Sequence, residues 1–309
     1  MESKRPIFPG EFIPETAHAA SEMPASLPDV RLLRQREGKG YFRKPELISM
    51  YSTDSVPLYW KDRQYFIDSQ MQAIERYVFD EGLTLARMTN RDVDAVMTFL
   101  YERYPREIAA EISAFDLWRF IEYGHGVLIW DDAGRVKGCI FEIGYSRRAD
   151  TSFTIRLAVA AELEGKNLGY HLMLYSCLIA MQEGARVKRG LIQFSNQKSL
   201  HINLNKVGWI CESFVPDACG LGPFFDISLP LDPAGLFTNA VDLDQIPRYM
   251  ASHHAYIDYR LIDAEDIRAV AQLYECTDFK IVAMLKHDPD SGRPCFFALP
   301  ASVLGLALA

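Results

Sequence analysis

The pattern of hydrophobic and polar residues predicts a strand, a short turn and a helix in succession near the middle of the chain. Residues 151–160 are rich in β-branched and aliphatic side chains, which is typical of a strand. Residues 168–183 carry apolar side chains through several turns and predict a helix that ends at Gly184. Gly165 and Asn167 lie between the two segments and indicate a turn.

This succession of elements could bind an anion. The first amides of a helix have no partner within the helix and lie at the positive end of its dipole, so the predicted turn offers backbone donors to a phosphate. Lys166 adds a positive charge beside them. The alternative is that Gly165 and Gly169 only allow the helix to pack closely on a sheet.

Further elements flank this unit on both sides. The sequence predicts a strand at 82–89, a helix at 90–103 capped by Thr89 or Asn90, a helical stretch at 105–123, a hairpin of 127–130 with 136–145, and strands at 190–194, 210–215 and 224–229. Together they predict an α/β (α+β) fold, with a mixed sheet of about seven strands flanked by helices.

The two ends of the chain differ in composition from this middle part. Residues 1–45 are rich in proline and show no sustained period, which is typical of an arm. Residues 68–79 have helical spacing after a predicted Asp68 cap and would form a docking helix or a lid. We therefore predict an arm with a docking helix at 1–80, a main domain at 81–231, and a C-terminal extension at 232–309 whose apolar tail at 294–309 could close the sheet edge or a homodimer.

Charge and cysteine content limit the classes of partner. With 33 basic and 41 acidic residues the net charge is -8, which argues against a nucleic-acid surface. The six cysteines form no CxxC pair and are expected to be buried thiols in a reducing compartment. No window is long and apolar enough to span a bilayer. We expect a cytoplasmic protein with no metal, no nucleic-acid partner and no membrane association.

Two motifs in the main domain carry a family resemblance. The first consists of Val159, Ala161 and Glu164-Gly-Lys-Asn167-Leu-Gly169, and the second of Asn196, Ser199, Gly208 and Trp209. In this order and separation they resemble the motifs of the GNAT superfamily of acyl-CoA-dependent N-acyltransferases. The resemblance covers about half of the chain and implies a twisted, mostly antiparallel sheet.

The resemblance also implies where the cofactor lies. The strands at 151–160 and 190–194 would be parallel neighbours that splay apart at their C-terminal ends, and the pantetheine arm of acetyl-CoA or another acyl-CoA would enter the gap. The residues implied in cofactor binding are Leu157, Val159, Glu164, Gly165, Lys166, Asn167, Leu168, Gly169 and Asn196.

Three positions depart from the family pattern. Glu164 stands where arginine or glutamine is usual, and a carboxylate beside a diphosphate is unfavourable unless it points away. Asn167 replaces the first glycine, although asparagine also adopts the left-handed conformation. Leu204 stands where many members have the tyrosine that donates to the leaving thiolate.

Acyl transfer to an amine requires removal of the ammonium proton, for which a carboxylate would suffice. By order in the chain the candidates are Glu142 and Glu162, with Ser199 as a replacement proton donor. The alternative for Glu142 is a cross-strand ion pair with Arg156, and for Glu162 a solvated loop position. Weaker candidates are His171 and His201 as bases, and Asn203 and Tyr170 as donors.

The leading functional hypothesis is an N-acyltransferase that moves an acetyl or longer acyl group from acyl-CoA to the amine of a small molecule or amino acid. Two alternatives stay open. The acyl donor could be a carrier protein or an aminoacyl-tRNA, or the domain could be a degenerate relative that only binds a ligand or partner.

Overall fold

The computed structural model describes residues 60–105, 112–144, 150–218, 220–231, 259–286 and 292–301. The predicted arm at 1–45 and most of the loop at 146–150 lie outside these residues, as do 232–258 and 302–309.

All ten strands of the described residues belong to one mixed, mostly antiparallel sheet. They are β1 Leu83–Arg87, β2 Gly124–Asp131, β3 Val136–Gly144, β4 Thr151–Val159, β5 Val187–Gln193, β6 Ile210–Val215, β7 Phe224–Pro230, β8 Arg260–Asp263, β9 Phe279–Leu285 and β10 Cys295–Pro300. The order across the sheet is β1-β2-β3-β4-β5-β7-β6-β9-β10-β8, and only β4 and β5 pair in parallel.

Helices of the described residues flank this sheet. They are α1 Trp60–Asp80, α2 Val93–Arg103, α3 Ala114–Tyr123, α4 Leu168–Gln182, α5 Gln197–Leu200 and α6 Ile267–Cys276, with a π-helical segment at His201–Val207 directly after α5. The predicted α/β (α+β) fold class is confirmed.

Local capping explains several helix starts. The Thr89 side chain accepts a hydrogen bond from the Arg91 amide within a capping box, as predicted for the helical segment that begins at Asn90. Ser113 forms a second capping box with Asp116 before α3. The predicted Asp68 cap is wrong, because α1 begins at Trp60 and Asp68 lies inside it, where it accepts a hydrogen bond from Gln64.

The prediction of about seven strands is too low. Strands β8, β9 and β10 continue the sheet from the β6 edge, beginning at the pair Cys211 and Ile281. The C-terminal segment Cys295–Pro300 therefore lies inside the sheet, between β9 and β8. These strands are short, and only pairing with distant parts of the chain reveals them as members of this sheet.

Two apolar cores lie on opposite faces of the sheet. On one face α2 and α3 pack on β2, β3 and β4 through side chains such as Phe99, Leu117 and Phe141. On the other face lies α4, in which every residue from Leu168 to Met181 is buried, because α1 covers it on the side away from the sheet. A helix that is apolar on all sides needs such enclosure.

Candidate functional site

The parallel pairing of β4 with β5 stops half-way along the strands. The register runs from Thr151 opposite Val187 to Thr154 opposite Gly190, whereas β4 continues to Val159 and β5 to Gln193. The two strands therefore separate at their C-terminal ends. This confirms the predicted splay and leaves a gap, which we call the β4–β5 gap, bounded by residues 155–159 and 191–193.

Backbone carbonyls of β4 line the gap. Successive residues of a strand point their backbone groups to opposite sides, and the Ala160 amide donates to the Lys137 carbonyl on the β3 side. The carbonyls of Leu157 and Val159 therefore point into the gap, where an amide of a bound chain could pair with them. These two residues were implied as cofactor-binding residues.

The last turn of α2 already contacts both carbonyls. The Arg103 Nε donates to the Val159 carbonyl at 2.8 Å, and the Tyr104 hydroxyl donates to the Leu157 carbonyl at 3.4 Å. Sequence reasoning missed both residues. The sequence shows only that a basic and an aromatic residue stand at the end of the predicted helix. It does not indicate which strand their side chains contact.

The loop before α4 has the backbone that an anion site needs. Gly165 has φ 89° and Asn167 has φ 55°, so both lie in the left-handed region. Asn167 therefore supplies the conformation for which glycine is usual in the family. The loop leads into the N-terminus of α4 at Leu168, which lies next to the open end of the β4–β5 gap.

The end of α1 supports this loop from outside. The Tyr77 hydroxyl donates to the Lys166 carbonyl at 3.0 Å, and the Lys166 ammonium lies 2.8 Å from Glu81. Lys206, from the π-helical segment, donates to the Asn167 side chain at 2.8 Å. The predicted docking helix thus contacts the candidate phosphate loop as well as α4.

Glu164 is held between two cations. Its carboxylate lies 2.8 Å from Arg103 Nη2 and 2.6 Å from Lys198 Nζ. The hydrogen bond and the charge of Lys198 lower the pKa of Glu164, with a further contribution from the charge of Arg103. The carboxylate is therefore ionised at neutral pH and its charge is compensated, which removes much of the objection to its presence near a phosphate site.

Gly169 lies where α4 packs on β4. It is buried, and a Cβ atom there would meet the side chains of Leu157, Ile202 and Val159 at 3.4 to 3.8 Å. A Cβ at Gly165 would meet nothing within 4 Å. Gly165 is therefore required for its backbone conformation, whereas a Cβ atom at Gly169 would make only ordinary van der Waals contacts.

Glu142 lies in a buried polar cluster beneath α4. Its carboxylate, which has no solvent exposure, accepts hydrogen bonds from Ser152 and Ser176 and pairs with Lys188. The alternative of an ion pair between Glu142 and Arg156 is wrong: the register places Arg156 opposite Phe141, and its guanidinium lies over the Tyr104 ring. These contacts give Glu142 a structural role between β3, β4, β5 and α4.

His125 extends this cluster toward the surface. Its Nε2 lies 3.0 Å from the Ser176 hydroxyl and its Nδ1 lies 3.1 Å from the Glu183 carboxylate. Burial lowers the pKa of His125, although the hydrogen bond to Glu183 opposes that shift. Burial likewise lowers the pKa of Lys188.

Glu162 lies on the surface after β4. Its side chain is 58% exposed and its carboxylate lies 2.6 Å from Lys137 Nζ. The hydrogen bond from Lys137 is the largest cause that lowers the pKa of Glu162. This position matches the solvated alternative, and of the two predicted carboxylates Glu162 is the one open to a substrate.

The second motif lies in the segment that follows β5. The Asn196 side chain caps α5 by accepting from the Ser199 amide at 3.1 Å, and Asn203 donates to the Ser199 hydroxyl at 3.2 Å. Leu204 is fully buried in the core next to α4. Gly208 ends the segment in the left-handed conformation at φ 92°, as its predicted role as a stop requires.

Tyr104 places a hydroxyl at the β4–β5 gap. Burial is the largest cause that raises the pKa of Tyr104, so the hydroxyl stays protonated at neutral pH. Its contact with the Leu157 carbonyl places a protonated hydroxyl at the β4 side of the gap.

Within the described residues, no helix is long and apolar enough to cross a bilayer, and no group of three or more histidine, cysteine or acidic side chains is arranged to hold a metal ion.

Comparison with known proteins finds similarity in solved structures alone. No protein-family model and no curated protein match the chain. A provisionally named phosphinothricin N-acetyltransferase is 22% identical, with a TM-score of 0.40 over 48% of this chain and 99% of its own. A GNAT-family acetyltransferase from Streptococcus pneumoniae is 14% identical, with a TM-score of 0.42 over 48% of this chain and 99% of its own. A spermidine N-acetyltransferase chimera of Vibrio cholerae and hSSAT is 14% identical, with a TM-score of 0.41 over 48% of this chain and 96% of its own.

The class of fold follows from the observed topology. The mixed, mostly antiparallel sheet, the splayed parallel pair β4 and β5, and the glycine-bearing loop that leads into α4 form the arrangement that the resemblance to the GNAT superfamily implies.

Proposed function

We propose that the protein is an N-acyltransferase that moves an acetyl or longer acyl group from acyl-CoA to a primary amine of a small molecule or amino acid. The observation that carries this proposal is the β4–β5 gap, whose open end meets the loop and N-terminus of α4. A pantetheine arm can pair with the free strand edge, and a diphosphate can meet the helix amides.

In the proposed reaction the amine nitrogen attacks the thioester carbonyl, the C–N bond forms, the C–S bond breaks, and the thiol of CoA leaves. Backbone amides near Leu157 stabilise the developing oxyanion. The Tyr104 hydroxyl donates a proton to the departing thiolate. The ammonium proton leaves to Glu162 or to water, because Glu142 is enclosed in the core.

The position of Tyr104 bears on the face from which the acceptor approaches. For this chain we propose an amine acceptor that approaches the gap on the face covered by α2 and α3, where Tyr104 reaches the strand.

A thiol-release assay tests the proposal. The full chain is incubated with acetyl-CoA and with longer acyl-CoA esters over a panel of amines, and the released CoA thiol is followed with a thiol-reactive dye. Amine-dependent release supports the function. Binding of CoA by calorimetry without release for any amine supports the alternative of a ligand-binding domain, whose sequence support was Glu164, Asn167 and Leu204. Absence of both binding and release refutes the proposal.

A further inference from the structure

The contacts of Glu164 point to the residues that hold the cofactor's diphosphate. This carboxylate occupies a place where a carboxylate is unfavourable for phosphate binding, yet it contacts both Arg103 and Lys198. The three side chains together carry a net charge of +1. An ionised Glu164 would repel a phosphate, but it also holds two cations at the loop.

Arg103 connects the gap to the loop. Its Nε donates to the Val159 carbonyl, at the edge of the gap, while its Nη2 contacts Glu164 on the loop. A pantetheine arm in the gap and a diphosphate at the loop would meet at this boundary. The planar guanidinium carries several donors in a fixed arrangement that matches two phosphate oxygens at once.

The other two cations near the loop are turned to protein partners. Lys166, which sequence reasoning assigned to the phosphate, contacts Glu81 of the segment after α1. Lys206 donates to the Asn167 side chain. Lys198, in contrast, has an 81% exposed side chain, so its ammonium can change partner with little loss of packing.

We propose that Arg103 and Lys198 are ligands of the diphosphate of bound CoA, and that Glu164 positions them while the site is empty. This inference rests on the proposed function. When CoA binds, a pantetheine amide replaces Arg103 as the hydrogen-bond donor to the Val159 carbonyl. The diphosphate replaces Glu164 as the anionic partner of Arg103 and Lys198.

Calorimetric titration tests the assignment with CoA, with dephospho-CoA, which keeps the diphosphate but lacks the 3′-phosphate, and with pantetheine, which lacks both phosphate groups and the nucleoside; the loss in Arg103→Gln should be similar for CoA and dephospho-CoA. Arg103→Gln should weaken CoA binding by roughly tenfold or more, because a charged hydrogen-bonding partner of the phosphate is lost, and should not weaken pantetheine binding. Lys198→Gln should have a smaller effect of the same kind. Glu164→Gln should tighten CoA binding, because the phosphate no longer has to displace a carboxylate from the two cations.

Arg293→Gln is the matched control. It removes one positive charge and an ion pair with Asp263, beside β8 at the edge of the sheet, and should leave both affinities unchanged. Salt provides a second readout: CoA affinity should fall less steeply with ionic strength in Arg103→Gln than in the wild type. If Arg103→Gln fails to fold by circular dichroism, Lys198→Gln and Glu164→Gln, which alter groups at the surface, decide the question.

Each alternative outcome is distinct. Unchanged or tighter CoA binding in Arg103→Gln, or equal losses for CoA and pantetheine, overturns the assignment and leaves the proposed function intact. A wild-type protein that binds no CoA refutes the proposed function and this inference together.

Discussion

Replacing Gly165 by alanine tests whether the loop before α4 binds the cofactor. Gly165 has φ 89°, and a Cβ atom there would meet nothing within 4 Å, so the substitution changes the backbone preference and creates no clash. A non-glycine residue in the left-handed region costs roughly 1–2 kcal/mol. An unbound surface loop can relax and avoid this cost, whereas a loop that binds a diphosphate through its amides cannot.

The conformational cost of alanine at position 165 should therefore weaken CoA binding. A cost of roughly 1–2 kcal/mol corresponds to a CoA affinity about five-fold to thirty-fold weaker, measured by calorimetry. Gly184→Ala is the matched control, because Gly184 has φ 93°, also has open space at its Cβ, and lies at the opposite end of α4. It should lower the melting temperature by several degrees and leave CoA affinity unchanged.

Equal CoA affinity in Gly165→Ala and in the wild type, together with the expected loss of thermal stability in Gly184→Ala, would refute the reasoning. It would show that the loop is not part of the cofactor site, or that its conformation in the complex differs from the one described.

The remaining predictions concern the proton donor and the buried ionisable groups. Tyr104→Phe should lower kcat for thiol release by up to roughly a hundredfold, as for loss of a general acid, without weakening CoA binding in calorimetry; an unchanged kcat would exclude the hydroxyl as donor. Glu142→Gln should destabilise the fold by about 3–5 kcal/mol in denaturant unfolding, because Lys188 loses its buried partner, and a stable but inactive variant would instead support the base. Burial lowers the pKa of His171 to about 4, so its contribution to stability is present above about pH 6.5 and is lost as the pH falls toward 4. His171→Phe should remove this dependence from the pH profile of unfolding, and a profile identical to that of the wild type would contradict the assignment.

The sequence was most informative where a structural feature depends on neighbouring residues. The Thr89 cap, the stop at Gly208 and the left-handed Asn167 follow from backbone preferences that act over a few positions. The splay of β4 and β5 was predicted through the family resemblance and is confirmed by their register.

The parts that sequence reasoning missed depend on contacts between distant segments. The reach of Arg103 to Val159 depends on the angle at which α2 crosses the sheet, and the pairing of Glu142 with Lys188 depends on which strand lies beside β4. The alternative of an ion pair between Glu142 and Arg156 fails because Arg156 lies opposite Phe141, and the sequence does not show which residues of β3 and β4 face each other. That β9 and β10 belong to the sheet likewise depends on contacts between distant segments.

The packing of α1 on α4 determines where the chain can be shortened. Phe66, Ile67, Ile74 and Val78 of α1 are buried in the core that contains α4. At about 1.5–3 kcal/mol for each buried side chain, their burial contributes roughly 6–12 kcal/mol, comparable to the whole stability of a typical domain, about 5–15 kcal/mol. A fragment that begins at residue 81 would retain both sequence motifs, yet it would expose one side of its central helix to water and should aggregate rather than fold. The smallest folding unit therefore includes α1.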